Sequence, residues 1–102
     1  MGYMLPRVTD DVREQSRRRM RRIAGQVAAI ERMIDDDRYC VDVLVQVAAA
    51  RAALDGAGKV LLQGHVEHCF AEAMASGRPK ERQQKIAELL DVFARFASVG
   101  SR

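Results

Sequence analysis

The sequence predicts an all-α protein: one domain over residues 1–102, built as a three-helix protomer whose second helix is long. Three observations carry this. The composition is rich in Ala, Leu, Val, Arg and Glu, with 5% aromatics and only two prolines, Pro6 and Pro79. Apolar residues make up 48% and charged residues 30%, the balance of a folded chain. The apolar positions recur at spacings of three and four. A domain of this size buries little apolar surface alone, so association with further copies of the chain is expected.

The first helix is expected at about residues 11–36. Thr9-Asp10-Asp11 offers N-cap residues, Met20, Ile23, Val27, Ile30 and Ile34 form the stripe, and the polar run "DDDR" ends it. The second starts near Tyr39 and meets no proline before Pro79. Val41, Leu44, Val47, Ala48 and Leu54 keep the helical period. Gly56, Gly58 and Gly64 each weaken a helix by about 1 kcal/mol relative to Ala, which predicts a bend in that region. "ASGRPKE" separates the second helix from the third, with Gly77 as C-cap and Pro79 in a first turn. The third, at about 80–97, carries Ile86, Leu89, Leu90, Phe93 and Phe96. There is no internal repeat and no low-complexity linker.

The formal charge is only +3, but its distribution is uneven. Residues 1–34 hold eight Arg against four acids, and six of those Arg lie between positions 13 and 22. On a helical wheel, Arg17, Arg18, Arg21 and Arg22 fall opposite the apolar stripe, with Arg13 and Arg19 flanking it. An isolated charge run is usually a solvated face. Here the charges are contiguous, all guanidinium and poorly balanced by acids, which suits phosphate, since the planar fork donates two parallel hydrogen bonds. Nucleic acid is the expected partner. No short helix-turn-helix is visible, so a helical surface would read DNA largely by shape.

No apolar run approaches the 18 or so residues that span a membrane. The N-terminal "MGYMLPRVTDD" lacks a long apolar core and meets acids early, unlike a signal peptide. A cytoplasmic protein with reduced thiols is expected, and Cys40 and Cys69 then read as ligands or redox groups rather than as a staple.

"GHVEHC" places His65 and Cys69 four apart, side by side on one helical face. A lone His or Cys is usually structural, and this pair lacks a third ligand. Cys40 lies 25 residues before His65, about 37 Å along one continuous helix, too far to share an ion within one chain. Two copies solve the problem. If the second helix pairs antiparallel with its copy about a centre near residue 53, Cys40 of one protomer falls beside His65 and Cys69 of the other. The small residues of "AAARAAL" permit that approach, and a C2 dimer then carries two identical sites. Two thiolates and an imidazole suit Cu(I), whereas structural zinc normally takes a fourth ligand. His68 stands three residues from His65 but reads as a solvent-exposed residue.

"RRIAGQ", "DRYCVDVLVQVAAARAAL" and "HVEHC" together resemble the copper-sensitive operon repressor (CsoR) family, over about residues 15–96. The Cys, His-x3-Cys fingerprint separates that branch from those sensing nickel or cobalt, formaldehyde or persulfide. The resemblance implies an antiparallel dimer assembling into a flat homotetramer, with Cys40, His65 and Cys69 as Cu(I) ligands. It also implies that Tyr39 and Glu88 link the His ring to the third helix, and that operator DNA, typically of copper-export genes, is bound metal-free and released with Cu(I). Two departures bear on the DNA contacts. Ala24 stands where many members carry a basic residue before the glycine (Gly25 here), and Gly56 occupies a position basic in some. Arg51 and Lys59 offer compensating charge from the second helix, beside Arg17, Arg18, Arg19, Arg21 and Arg22 on the first.

Three other readings compete: a persulfide or electrophile sensor of the same fold, a small zinc hydrolase, and a copper carrier without a DNA role. The first gives His65 and Glu88 no task. The second lacks a carboxylate placed as a general base, since Glu67 faces away on the wheel. The third leaves the arginine face unexplained. Neither an enzyme nor a small-molecule substrate is expected.

Overall fold

The computed structural model describes residues 8–100; the stretch read above for a signal sequence falls mostly in residues 1–7, which, with 101 and 102, lie outside the described residues. All regular structure among the described residues is helical.

Helix α1 spans Asp10–Asp35. Thr9 is the N-cap: its hydroxyl accepts the Val12 N–H at 3.4 Å, and Asp10 and Asp11 occupy the first turn. Such a cap is worth about 1 kcal/mol, and the two acids complement the helix dipole. At the other end Asp37 adopts φ 55°. Its N–H donates to the Ile34 carbonyl at 3.2 Å and that of Arg38 to the Met33 carbonyl at 3.0 Å. This is a Schellman ending, with an aspartate in the left-handed position where glycine is commoner.

Residues 40–76 form one unbroken rod. Helix α2 spans Cys40–Gly64, a π-helical turn follows at His65–Phe70, and α3 continues from Ala71–Ser76. The irregularity therefore comes after Gly64, while Gly56 and Gly58 lie inside a regular α2. Gly58 serves packing instead: a Cβ there would collide with the Phe96 ring. Gly77 ends the rod in extended backbone (φ −78°, ψ 160°). Helix α4 spans Pro79–Gly100, and the Glu81 carboxylate accepts the Arg78 N–H at 3.2 Å, half of a capping box around Pro79.

Helix α1 lies along α2, and α4 folds back against α2 and α3. The buried apolar side chains are few: Ile23, Ala50 and Ala57. The molecule measures 57 × 29 × 22 Å with a radius of gyration of 17.8 Å, where a compact chain of this length has about 13 Å. Much of each periodic stripe is left to solvent: Val27 and Ile34 on α1, Val41, Leu44, Val47 and Leu54 on α2, and Ile86, Leu90 and Phe93 on α4. The period identified the helices correctly, but much of each stripe is exposed rather than buried in a protomer core. Monomers seldom expose apolar surface so continuously. No helix among the described residues is long and apolar enough to cross a membrane.

Candidate metal centre and nucleic-acid interface

His65 and Cys69 both stand on the π-helical turn. Its wider winding shows in the backbone, where the Ala71 N–H donates to the Val66 carbonyl five residues back. Such single π-turns inside α-helices occur frequently at functional sites. Both side chains are half-buried, and the His65 ring lies 6.4 Å from that of Phe70, tilted by 51°.

Between α2 and α4 a cavity of about 450 Å³ is lined by His65, Glu88, Leu61, Leu89 and Phe96. The fold thus brings His65 and Glu88 to one space. Glu88 is also held by Lys85, 3.5 Å from its Oε1. Lys85 was not singled out in the sequence, although its i,i+3 spacing from Glu88 was a usable signal.

Cys40 and Tyr39 are not brought there within a protomer. Both are exposed, Cys40 as the first residue of α2 and Tyr39 as its N-cap. Among the described residues no three His, Cys, Asp or Glu of one protomer gather to hold a metal. His68 and Glu67 face solvent, with His68 Nε2 4.0 Å from Glu67 Oε1 and Glu67 accepting from Gln63 Nε2 at 3.0 Å.

The arginines of α1 are exposed, but not all lie away from α2. Arg13, Arg17 and Arg21 form one row beside Ser16, Met20 and the α2 residue Leu61. Arg13 pairs with Asp10 at 3.8 Å and Arg18 with Glu14 at 3.4 Å. Arg17, Arg19, Arg21 and Arg22 have no ion pair among the described residues. Arg19 reaches α2: its Nη1 lies 3.6 Å from where a Cβ of Gly56 would stand. The absence of a side chain at Gly56 is thus partly filled by a guanidinium from α1. Lys59 is paired with Asp55 at 3.2 Å, whereas Arg51 is exposed. Ala24 is exposed on α1.

Residues 12–95 match the family of metal-sensitive transcriptional repressors. The chain belongs to that family. It is 46% identical over 84 residues to the copper-sensing transcriptional repressor CsoR of Bacillus subtilis, covering 82% of this chain and 80% of that one. It is 43% identical over 79 residues to the copper-sensing repressor RicR of Mycobacterium tuberculosis, covering 78% and 81%. Among solved structures it resembles CsoR with Cu(I) from Geobacillus thermodenitrificans, at a TM-score of 0.78 and 43% identity over 94% of this chain and 96% of that one. The nickel-responsive regulator InrS is also similar, at a TM-score of 0.67 and 31% identity over 92% and 99%.

Membership of a repressor family sets aside the hydrolase and the carrier without a DNA role. For a metal-sensitive repressor, the chemistry of the donors here is a fair test of the metal. Cys40, His65 and Cys69 would together offer two thiolates and one imidazole, a soft, low-coordinate set whose chemistry fits Cu(I). Only two of the three lie close together in one protomer.

Proposed function

We propose that this repressor binds operator DNA when metal-free and releases it when Cu(I) binds at a site between subunits. Cys40 of one protomer and His65 and Cys69 of the other hold the ion, twice per antiparallel dimer. The observation that carries the reading is the placement of Cys40 at the start of α2 and of His65 and Cys69 on the π-helical turn just past its end, with an uncovered apolar face between them. An antiparallel partner covers that face and completes both sites at once. The exposed apolar residues of α4 offer a further surface for pairing dimers into a homotetramer.

Each part of the chain has a task in this account. The exposed arginines of α1, namely Arg17, Arg18, Arg19, Arg21 and Arg22, supply phosphate contacts, with Arg51 beside them on α2. Lys59 contributes less because Asp55 holds it. Glu88, and Tyr39 brought by the partner, orient the His65 ring, as hydrogen-bonded neighbours of a ligating His commonly do. Metal releases DNA only in so far as it binds the DNA-incompetent arrangement more tightly. Repression of copper-export genes follows as the use of such a switch, in the cytoplasm where Cu(I) and reduced thiols coexist.

The test is an anaerobic titration of the protein bound to a fluorescent duplex enriched from a random pool by the metal-free protein. Cu(I) should lower the anisotropy to that of free DNA with one equivalent per protomer, and Ni(II) should not. Release by persulfide at low copper, with none by Cu(I), would instead support the thiol-sensing reading.

A further inference from the structure

Gly64 is buried, and it is the residue immediately before His65. A Cβ placed on it would lie 2.8 Å from Val12 Cγ2, 3.1 Å from Cγ1 and 3.4 Å from Cβ. The side chain of Val12 thus rests directly on the backbone of α2 at the start of the π-helical turn. Real Cβ contacts of 2.8 Å essentially do not occur, and Val12 cannot turn away easily. Its branched side chain has one strongly preferred rotamer in a helix, and its methyls close both sides of the gap. Val12 is itself fixed: it is in the first turn of α1, and its N–H is tied to the Thr9 cap. The next residue, Arg13, begins the basic row that continues through Arg17 and Arg21.

We infer that the Val12–Gly64 contact is the mechanical link between the metal centre and the DNA-binding face, with both residues acting by position. This rests on the function proposed above and adds a route within one protomer, separate from Glu88 on α4. When His65 takes a metal, the backbone of the π-helical turn adjusts, and Gly64 moves with it as the adjacent residue. A close-packed contact between backbone and a stiff side chain does not absorb that movement. The first turns of α1 shift, carrying Arg17 out of register with the phosphates. Glycine at 64 is required because only a bare backbone allows α1 to sit close enough.

The experiment is a double-mutant cycle of wild type, Val12→Ala, Gly64→Ala and the double variant. Three readouts are taken: DNA affinity without metal, DNA affinity with saturating Cu(I), and Cu(I) affinity by chelator competition. In wild type the ratio of the two DNA affinities is expected at about 5–150-fold. Gly64→Ala pushes α1 off α2, so metal-free DNA binding should weaken at least tenfold and the ratio fall toward one. Val12→Ala opens a gap, so metal-free DNA binding should stay near wild type while the ratio falls several-fold. The double variant restores contact between two small side chains and should recover most of the ratio. Cu(I) affinity should change less than tenfold throughout, a pattern that general destabilisation would not give. A wild-type ratio in Val12→Ala, or no recovery in the double variant, overturns the inference, and Val12→Ala alone decides if Gly64→Ala does not fold. No release from wild type itself would mark the failure of the proposed function, not of this contact alone.

Discussion

His65 on the π-helical turn and Glu88 on α4 line one cavity, and Lys85 Nζ lies 3.5 Å from Glu88 Oε1. Glu88 is the more exposed partner of that pair, and surface ion pairs of this kind are worth about 0–1 kcal/mol. The pair is therefore weak enough for Glu88 to turn to the His65 ring when that ring is fixed by a metal. Glu88→Ala is expected to keep substantial Cu(I) binding yet lose much of the roughly 1–3 kcal/mol of coupling that links two sites in a typical allosteric protein. DNA affinity with and without saturating Cu(I) checks this. Full release by copper in the variant would show that Glu88 is only a surface glutamate.

The ligand set makes a sharp prediction. Cys40→Ala, His65→Ala and Cys69→Ala should each lower Cu(I) affinity by orders of magnitude, since two soft donors hold the ion far less tightly than three. His68→Ala should change it little, because His68 sits beside Glu67 on the solvent side of the turn. Chelator competition on all four variants decides. Equal losses in all four would mean that the third ligand or the coordination number is wrong.

DNA binding should be electrostatic and centred on α1. Replacing Arg17, Arg18, Arg21 and Arg22 together with Ala removes up to four phosphate contacts per protomer. Each neutralised phosphate contributes about −0.9 to the slope of log K against log salt. The variant should bind more weakly with a shallower slope and an intact Cu(I) site. An unchanged slope would place the contacts elsewhere, first at Arg19 and Arg51.

Much of the fold was legible because its signals are local. Thr9 caps α1, Pro79 opens α4, and the threefold and fourfold spacings mark the helices between. The π-helical turn was not legible. "HVEHC" carries no residue that dictates a wider winding, and the contact at its start, Val12 on Gly64, joins residues 52 apart in the chain. The wheel likewise does not show that Arg17 and Arg21 come beside Leu61, since it knows the apolar stripe of α1 but not where α2 lies. For the candidate site, residue types and spacing suggested Cys40, His65 and Cys69 as donors, and the i,i+3 spacing was a local signal for Lys85 beside Glu88, whereas Arg19 over Gly56 emerged only from packing.

The uncovered face of α2 should be needed for assembly. Leu44 is 63% exposed in the protomer. Leu44→Glu would bury an unpaired charge if the face is an interface, which costs several kcal/mol. Sedimentation equilibrium should show dissociation to monomers, with loss of high-affinity Cu(I) binding in the same variant. An unchanged assembly would place the interface elsewhere.

The central claim is that each metal site is shared between two chains. A heterodimer tests it directly, pairing Cys40→Ala protein with His65→Ala/Cys69→Ala protein and isolating the mixed species through two affinity tags. Neither parent can form a complete site, but the heterodimer holds one full set of three donors and one empty position. High-affinity Cu(I) binding should return at half the wild-type stoichiometry, one ion per heterodimer. Heterodimers that assemble normally and bind no Cu(I) with high affinity would contradict the shared site.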